Sequence, residues 1–556
     1  MVRSTQQQPA VTLADVIALL TDDASQGDGS SGVEVVAASA SGRLDADAQS
    51  APIVAVRHDS RTVEPGALYV GLPGTRVHGA RFAGQVAAAG AAAIVTDSAG
   101  LELIRGLGDP AATGPGPDVP AGLPIIVVPN PRRAMALAAA LVAGRPAERL
   151  LTFAITGTNG KTTTTFLVEG MLRNLGRSVA TIGTIGFRHD GAAIEMARTT
   201  VTTPESSELQ GLLATFVDRG ADALAMEVSS HALALHRADA ITFDVAAFTN
   251  LGRDHLDFHP TMEDYFEAKA KLFTPDHARA AVVNIDDEWG RRLAARVAEA
   301  GQLRLLTTGW QNVDADYRIV AGDDQHVRLA TPRGELEFVL GLPGDFNVRN
   351  AATALAMADL AGLDVPAAAA GLADVQVPGR MQRVELGGDT EAPAAIVDFA
   401  HTPQAVASAL EALAPLREQG RLVTVVGCGG DRDATKREPM GAAAAAASDL
   451  VVITDDNPRT EDPAAIRAAT LAGAHAELAR LGRPADQAVD GGDRRSAINL
   501  ALRSAGPGGT VAVLGKGHEQ GQEVNGTVAE FDDVAVIGQE WLVVLNSRSD
   551  EAGRTR

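Results

Sequence analysis

The run Leu151–Ile155, followed by Thr156-Gly157-Thr158-Asn159-Gly160-Lys161-Thr162-Thr163, constrains this chain more than any other stretch. An apolar strand, a glycine-bracketed turn and a helix together point backbone N–H groups inward at phosphate oxygens, where the helix N-terminus adds its partial positive charge. Gly157 and Gly160 let the backbone curl, Lys161 can neutralise β/γ-phosphates, and the Thr162 hydroxyl can ligate Mg²⁺. The helix carries Leu167, Met171 and Leu175 on one face and stops at Gly176. One departure stands out: the general pattern has Gly five residues before Gly160, and here that residue is Ile155. The plain alternative is an ordinary strand–turn–helix.

Similar units recur. Apolar runs at Leu151–Ile155, Ala223–Val228, Phe243–Phe248 and Ala281–Ile285 alternate with Gly/Asp/Asn turns and amphipathic helices. A second series follows Pro378, at Ala395–Phe399, Leu422–Gly427, Leu450–Thr454 and Thr510–Leu514. Strands of this kind between helices predict an α/β protein with parallel sheets covered on both faces. At ~150 residues per domain, 556 residues make three or four domains. The runs divide the chain into three, 1–148, 149–378 and 379–556, with Leu342–Pro378 joining the last two. Thr21–Ser50 and Gly106–Gly122 read as low-complexity loops, and 546–556 as a frayed tail.

Charge narrows the function. Seventy Asp and Glu against 48 Lys and Arg give a net −22, which repels nucleic-acid backbones. Any anionic ligand must therefore be met by local cations, a metal or backbone N–H groups. One cysteine, Cys428, excludes an internal disulfide and a cysteine-based zinc site. No apolar run reaches the ~18 residues of a membrane span, since Ala134–Ala143 stops at Gly144-Arg145. The N-terminus lacks a secretory pattern, so a cytoplasmic location is expected.

In an open parallel sheet ligands lie beyond the carboxyl ends of the strands. Glu227, near the end of one run, and His255, after another, would converge there on the phosphate loop as Mg²⁺ ligands. Lys269 shares the apolar stripe of Met262, Tyr265, Phe266, Leu272 and Phe273 within a predicted helix over Thr261–Phe273, whereas Lys271 lies on the wet face with Glu267. A lysine on an apolar face loses its preference for the ammonium form, and a neutral amine can add CO₂ to become an anionic carbamate. The competing reading is a snorkelling or salt-bridged lysine.

TGTNGKTT, MEVSSHAL, FTNLGRDHLDFH, DYFEAKAKLF and LPGDFNVRNA together closely resemble the Mur ligases, ATP-dependent amide-forming enzymes of peptidoglycan assembly. The resemblance runs from His58-Asp59-Ser60-Arg61 to Gly515–Glu519. It implies an N-terminal UDP-binding domain, a central ATPase domain and a Rossmann-like C-terminal domain, and Ile155 belongs to that family's own form of the loop. It further implies that Lys269 is carbamylated, that Glu227 and His255 bind Mg²⁺, and that Thr202, Thr203, Ser229 and Arg237 hold the muramoyl-dipeptide end of the substrate. Ser60 and the loop near Thr75 would meet UDP. Asn284, Asp286, Asn347, Arg380, Asp398 and His401 match ATP-associated positions less sharply. Leu235 stands where many members have Gln.

In the third domain, Gly427–Asp433 fails as a dinucleotide fingerprint because Arg432 takes the third glycine's place. Arg432, and Arg459 of Asp456-Asn457-Pro458-Arg459, both follow strands and suit bidentate capture of carboxylates. Glu519, close after Gly515, offers an anion to an ammonium. Such a pocket suits a zwitterion with an additional carboxylate, and by resemblance the Asp456–Arg459 motif recognises meso-diaminopimelate. The activity expected is ligation of meso-diaminopimelate to UDP-N-acetylmuramoyl-L-alanyl-D-glutamate through an acyl phosphate, by a monomer that closes around it. The rival activities are lysine addition and a folylpolyglutamate synthase-like ligation. A GTPase-like switch lacks an NKxD segment, and a non-catalytic scaffold leaves Lys161, Glu227, His255 and Lys269 without a joint purpose.

Overall fold

The structure, a computed structural model, describes residues 10–26, 32–37, 46–74, 76–106, 119–194, 202–255, 258–310, 312, 314–322, 326–387 and 392–554. Thr75 and residues 107–118 of the second expected loop lie outside the described residues. Contacts divide the chain into two compact units, Met1–Arg318 with Ala352–Ala368, and Ile319–Ala351 with Ala369–Arg556.

The first unit holds two sheets. The N-terminal one comprises β1 (Glu34–Ala37), β2 (Ala55–Arg57), β3 (Ala67–Val70), β4 (Ala93–Thr96) and β5 (Pro124–Val127), in the order β1-β5-β4-β3-β2. All its pairs are parallel except β1 with β5. The central sheet comprises β6 (Leu151–Thr156), β7 (Val179–Gly183), β8 (Gly186–His189), β9 (Ala192–Ala193), β10 (Ala223–Glu227), β11 (Val245–Phe248), β12 (Ala280–Asn284), β13 (Arg304–Gly309) and β14 (Tyr317–Gly322). Its order is β14-β13-β12-β11-β6-β10-β7-β8-β9, parallel from β14 to β7, with antiparallel β8 and β9 closing one edge. The register sets Glu227 beside Ile155 and Phe248 beside Thr156, so β10, β6 and β11 end side by side. That common edge carries the functional loops.

The second unit has the hairpin β15 (His326–Thr331) and β16 (Gly334–Val339), and a sheet of β17 (Gln382–Val384), β18 (Ala394–Asp398), β19 (Leu422–Cys428), β20 (Leu450–Asp455), β21 (Ala488–Asp490) and β22 (Thr510–Leu514). The sheet order is β17-β18-β22-β19-β20-β21, parallel apart from β17. Along β19, Leu422, Val426 and Cys428 pack into one core and Val423 and Val425 into another, as a period of two requires when helices cover both faces. A small hairpin follows, β23 (Gly521–Val524) and β24 (Thr527–Glu530).

The parallel α/β architecture expected from the runs is present, and two loop expectations are corrected. Within Thr21–Ser50 a helix from Leu13 continues to Gln26, β1 pairs with β5, and a short helix covers Ala46–Gln49. Leu13, Val16 and Leu20 are buried and dock the first turns, so the Asp/Ser-rich end propagates from a helix already nucleated. The tail is likewise helical: Asp533–Arg554 forms one helix, docked through buried Val536, Ile537, Trp541 and Val544. No described helix is long and apolar enough to cross a membrane.

Candidate active site

In the first unit, the loop between β6 and the Lys161–Asn174 helix is shaped by its glycines. Gly157 has φ +146°, and a Cβ there would sit 2.0 Å from Thr249 Oγ1; Gly160 has φ +86°. The loop after β11 braces it. Thr158 N donates to the Asn250 carbonyl (2.9 Å), Asn159 N to Asn250 Oδ1 (3.0 Å), and Thr249 Oγ1 to the Asn159 carbonyl (2.6 Å). Lys161 Nζ donates to the carbonyls of Gly157 (3.0 Å) and Thr158 (2.9 Å). Thr162 and Thr163 are buried at the start of the helix.

Lys269 lies in the helix Met262–Ala270, which is started by a capping box of Thr261 and Asp264 and continued as a 3₁₀ turn to Phe273. The apolar stripe faces the core and takes Lys269 with it, to 1% exposure, while Lys271 stays exposed. Its Nζ donates to the Gly157 carbonyl (2.9 Å) and sits 4.6 Å from the centre of the Tyr265 ring. One carbonyl thus receives both Lys161 and Lys269. Burial, reinforced by the charge of Lys161, holds the Lys269 ammonium well below the ordinary lysine range. Burial raises the Tyr265 phenol to about 12.

Glu227 ends β10 and is 1% exposed. Its carboxylate accepts from Thr184 N and Thr184 Oγ1, both at 2.9 Å. The positions expected to hold the muramoyl dipeptide gather around it. Thr202 Oγ1 is 3.3 Å from Thr184 Oγ1, and Thr203 Oγ1 donates to the Glu227 carbonyl (2.9 Å). Ser229 caps the Ser230–Ala234 helix, and Arg237 donates to the Thr203 carbonyl (3.1 Å) and to Glu205 (2.8 Å). His255 has φ +53° and is 3.5 Å from the Asp254 carboxylate, with its ring centre 6.0 Å from that of Tyr265. Among the described residues no three His, Cys, Asp or Glu side chains are clustered as a metal site. Of the donors expected for one, the Glu227 carboxylate, the Thr162 hydroxyl and a carbamate on Lys269 are oxygens of the kind that suits Mg²⁺, whereas His255 offers an imidazole nitrogen. Asn284, at the end of β12, accepts from Asp286 N (3.0 Å), and the adjoining Asp287 accepts from Leu251 N (3.1 Å), tying this turn to the loop after β11. Ser60 lies in the Ser60–Thr62 turn, where its hydroxyl donates to Gln85 Oε1 (3.4 Å).

In the second unit, Asp456–Arg459 leaves the end of β20 beside the Gly429–Asp433 loop after β19. Gly430 N donates to the Asn457 carbonyl (2.9 Å), and Thr460 to the Asp431 carboxylate (2.8 Å). A Cβ on Gly429 would lie 3.1 Å from Arg459 Nη1 and 3.9 Å from Arg432 Cγ, so both arginines flank that glycine; Arg432 is exposed. Lys516, next to Gly515 and 0% exposed, donates to Asn457 Oδ1 (3.2 Å) and Glu519 Oε2 (3.0 Å), and Asn457 Nδ2 donates to that same oxygen (2.8 Å). Burial pushes the Glu519 carboxyl up, but Lys516 and Asn457 outweigh it and hold it below the usual range. Burial raises Asp456, against the pull of Arg494 and Lys516. Beneath, Arg494 and Asp533 form a fully buried bidentate pair (both 2.7 Å), and Arg494 donates to the Leu514 carbonyl (3.1 Å) just before Gly515.

The expected ATP-associated positions of this unit form a neighbouring group. Arg380 stacks 4.4 Å over the Phe399 ring, and Asp398 Oδ2 accepts from Met381 N (2.7 Å). His401 Nδ1 is 2.8 Å from the Phe399 carbonyl. A Cβ on Gly379 would come within 2.1 Å of His518 N, so this turn packs on the Gly515–Glu519 loop. Asn347 instead donates to the Pro343 carbonyl (2.7 Å) at the start of its own helix. Glu523, Arg494 and Thr184 carry no signal in the sequence, and Lys516 stands in Gly-Lys-Gly-His-Glu without a role read from it.

Residues 52–143, 155–358 and 379–517 match, respectively, the Mur ligase family catalytic domain, the Mur ligase middle domain and the Mur ligase glutamate ligase domain. The UDP-N-acetylmuramoyl-L-alanyl-D-glutamate–2,6-diaminopimelate ligase of Streptomyces coelicolor is 48% identical over 494 residues, 88% of this chain and 92% of that protein. The enzyme of that name from Corynebacterium glutamicum is 43% identical over 504 residues, 89% of this chain and 93% of that protein. A solved structure of a ligase of that name superposes with a TM-score of 0.65 at 29% identity, covering 96% of this chain and 99% of the other.

Proposed function

The chain belongs to the Mur ligase family, and from that premise we propose that it joins meso-diaminopimelate to UDP-N-acetylmuramoyl-L-alanyl-D-glutamate at the expense of ATP. We assign UDP binding to 1–148, ATP chemistry to 149–378 and amino-acid recognition to 379–556, in a cytoplasmic monomer. The observation that carries the substrate reading is the pair of opposite charges built on one network: the Arg459 guanidinium and the Glu519 carboxylate, both tied to Asn457 or its neighbours. A guanidinium suits the distal carboxylate of diaminopimelate, which lysine lacks, and a carboxylate suits an ammonium.

The D-glutamate γ-carboxylate attacks the γ-phosphorus of ATP, giving an acyl phosphate and ADP. Lys161 and the N–H groups of Gly160–Thr163 at the helix start stabilise the charge on the phosphoryl group in transit. Thr202, Thr203, Ser229 and Arg237 hold the peptide end so that its carboxylate reaches the loop. The deprotonated amine of diaminopimelate then adds to the acyl carbon, loses a proton, and the tetrahedral intermediate expels phosphate to leave the amide. Lys269, poised as a neutral amine, forms an N–C bond with CO₂ and releases a proton to become a carbamate. With Thr162, Glu227 and His255 it would hold Mg²⁺, which when bound offsets the triphosphate charge. Asn284, Asp286, Asn347, Arg380, Asp398 and His401 are assigned to ATP, and Ser60 with Thr75 to UDP.

The test is turnover with UDP-muramoyl dipeptide, ATP and a panel of amino acids, with phosphate release and product mass recorded. Product with meso-diaminopimelate in preference to lysine is expected. Preference for lysine overturns the substrate reading, and ATP binding with no phosphate release overturns the ligase.

A further inference from the structure

The hairpin Gly521–Glu530 grips the recognition segment at three residues. Gln522 Nε2 donates to the Asp456 carbonyl (2.6 Å), and Glu523 N donates to Asn457 Oδ1 (2.9 Å). Arg459 is held through its own backbone: its N–H donates to the Glu523 carbonyl (3.0 Å) and its carbonyl accepts from Asn525 N (2.7 Å). This bridge to β23 fixes Arg459 at φ +51°, a left-handed conformation that a non-glycine residue adopts only when its surroundings over-determine it. The side chain is held as well. Arg459 Nε lies 3.3 Å from Glu523 Oε2, and Nη1 donates to the Gly430 carbonyl (2.7 Å). Those two contacts, at two different nitrogens, leave Nη2 without a hydrogen bond among the described residues.

We propose that this hairpin is the template of the amino-acid pocket and that Glu523 is a positioning residue, aiming the Arg459 guanidinium so that Nη2 meets the distal carboxylate of the incoming amino acid. The proposal rests on the substrate reading above. A lone Arg on a loop spends rotamer freedom when it binds; a guanidinium already fixed at two nitrogens has spent it beforehand. The opposite role, a carboxylate competing with the substrate for Arg459, predicts the opposite sign, and the single Nε contact favours orientation over competition.

Steady-state kinetics on Glu523→Gln, Glu523→Asp, Arg459→Ala and the Glu523→Gln/Arg459→Ala double variant decide the matter, with Glu530→Gln on the partner strand as the control for hairpin integrity. Glu523→Gln is expected to raise the KM for diaminopimelate roughly two- to fivefold with kcat unchanged, the size of a partly exposed ion pair. Glu523→Asp should fall between it and the parent. In the Arg459→Ala background the effect of Glu523→Gln should vanish, because a residue acting through Arg459 has nothing left to aim. An unchanged or lowered KM in Glu523→Gln, or a rise that persists without Arg459, overturns the proposal. If Arg459→Ala alone leaves the KM unchanged, the substrate reading fails and takes this proposal with it.

Discussion

Lys269→Met offers the sharpest test of the catalytic chemistry, because the same buried nitrogen affects stability and activity in opposite ways. The substitution keeps the unbranched stem in the core and deletes the amine. With the folded lysine read as a neutral amine, it removes one ordinary hydrogen bond to the Gly157 carbonyl, about 0.5–1.5 kcal/mol. It also removes the cost of taking the proton from a lysine that is an ammonium in the unfolded chain, about 1.4 kcal/mol for each pH unit separating neutral pH from the ordinary lysine range. The second contribution opposes the first, so the variant should be no less stable than the parent at neutral pH, while activity falls by about a hundredfold or more. The pH dependence separates the two proteins further. In the unfolded chain Lys269 titrates in the ordinary lysine range, and in the folded chain well below it. Between those limits the unfolded state carries one more proton, so parental stability rises with pH at about 1.4 kcal/mol per unit; below the depressed folded value the two proteins run parallel. Urea unfolding of both proteins in CO₂-free buffer over a pH series measures this difference. Equal slopes, or a variant destabilised by more than about 3 kcal/mol, would show an ammonium content in its site, with no free amine for CO₂ to meet.

Gly157→Ala places a Cβ 2.0 Å from Thr249 Oγ1 at φ +146°, which should cost about 2–5 kcal/mol and weaken nucleotide binding, measured by thermal unfolding and calorimetric titration. Asp533→Ala strands a fully buried guanidinium and should cost about 3–5 kcal/mol, whereas Arg494→Met with Asp533→Leu should recover most of it in the same melts. Lys516→Met takes away the cation that holds the Glu519 carboxyl low, so that carboxyl titrates higher. Because the ionised form binds the ammonium, the acidic limb of kcat/KM for diaminopimelate should move to higher pH, and an unmoved limb would remove Lys516 from the pocket.

What could be read from the sequence was whatever is local. The apolar runs became strands within one residue at most ends, and the Thr261–Phe273 periodicity put Lys269 on the buried stripe because helical spacing alone fixes that face. Composition misled where tertiary docking decides. An Asp/Ser-rich stretch stays helical once Leu13, Val16 and Leu20 anchor it, and the polar C-terminus extends a helix held by Trp541 and its neighbours. Arg459 was visible as a motif residue, but its partners at 430 and 523 come from the loop after β19 and from β23, and no spacing rule foretells that pairing. Arg494 and Asp533 are 39 residues apart and meet only because two helices pack on the same face of the sheet.

Among the described residues three cations lie below 2% exposure, in a protein of net charge −22, and their surroundings differ in kind. Arg494 faces a carboxylate in bidentate geometry, and although burial opposes its charge, Asp533 raises its pKa overall; it can serve only as a fixed strut beneath the Gly515 loop. Lys516 faces one carboxylate oxygen and one amide oxygen, so its charge is spent on fixing Glu519 and Asn457 in register. Lys269 faces a single carbonyl that Lys161 also occupies, with an aromatic ring beside it, and no carboxylate is bonded to its nitrogen among the described residues. In that last environment burial and the neighbouring charge of Lys161 both disfavour the ammonium. On the reading proposed above, the same side-chain type is structural in one unit and reactive in the other. A carboxylate bonded to the Lys269 nitrogen would favour the ammonium and with it the inert form of the lysine.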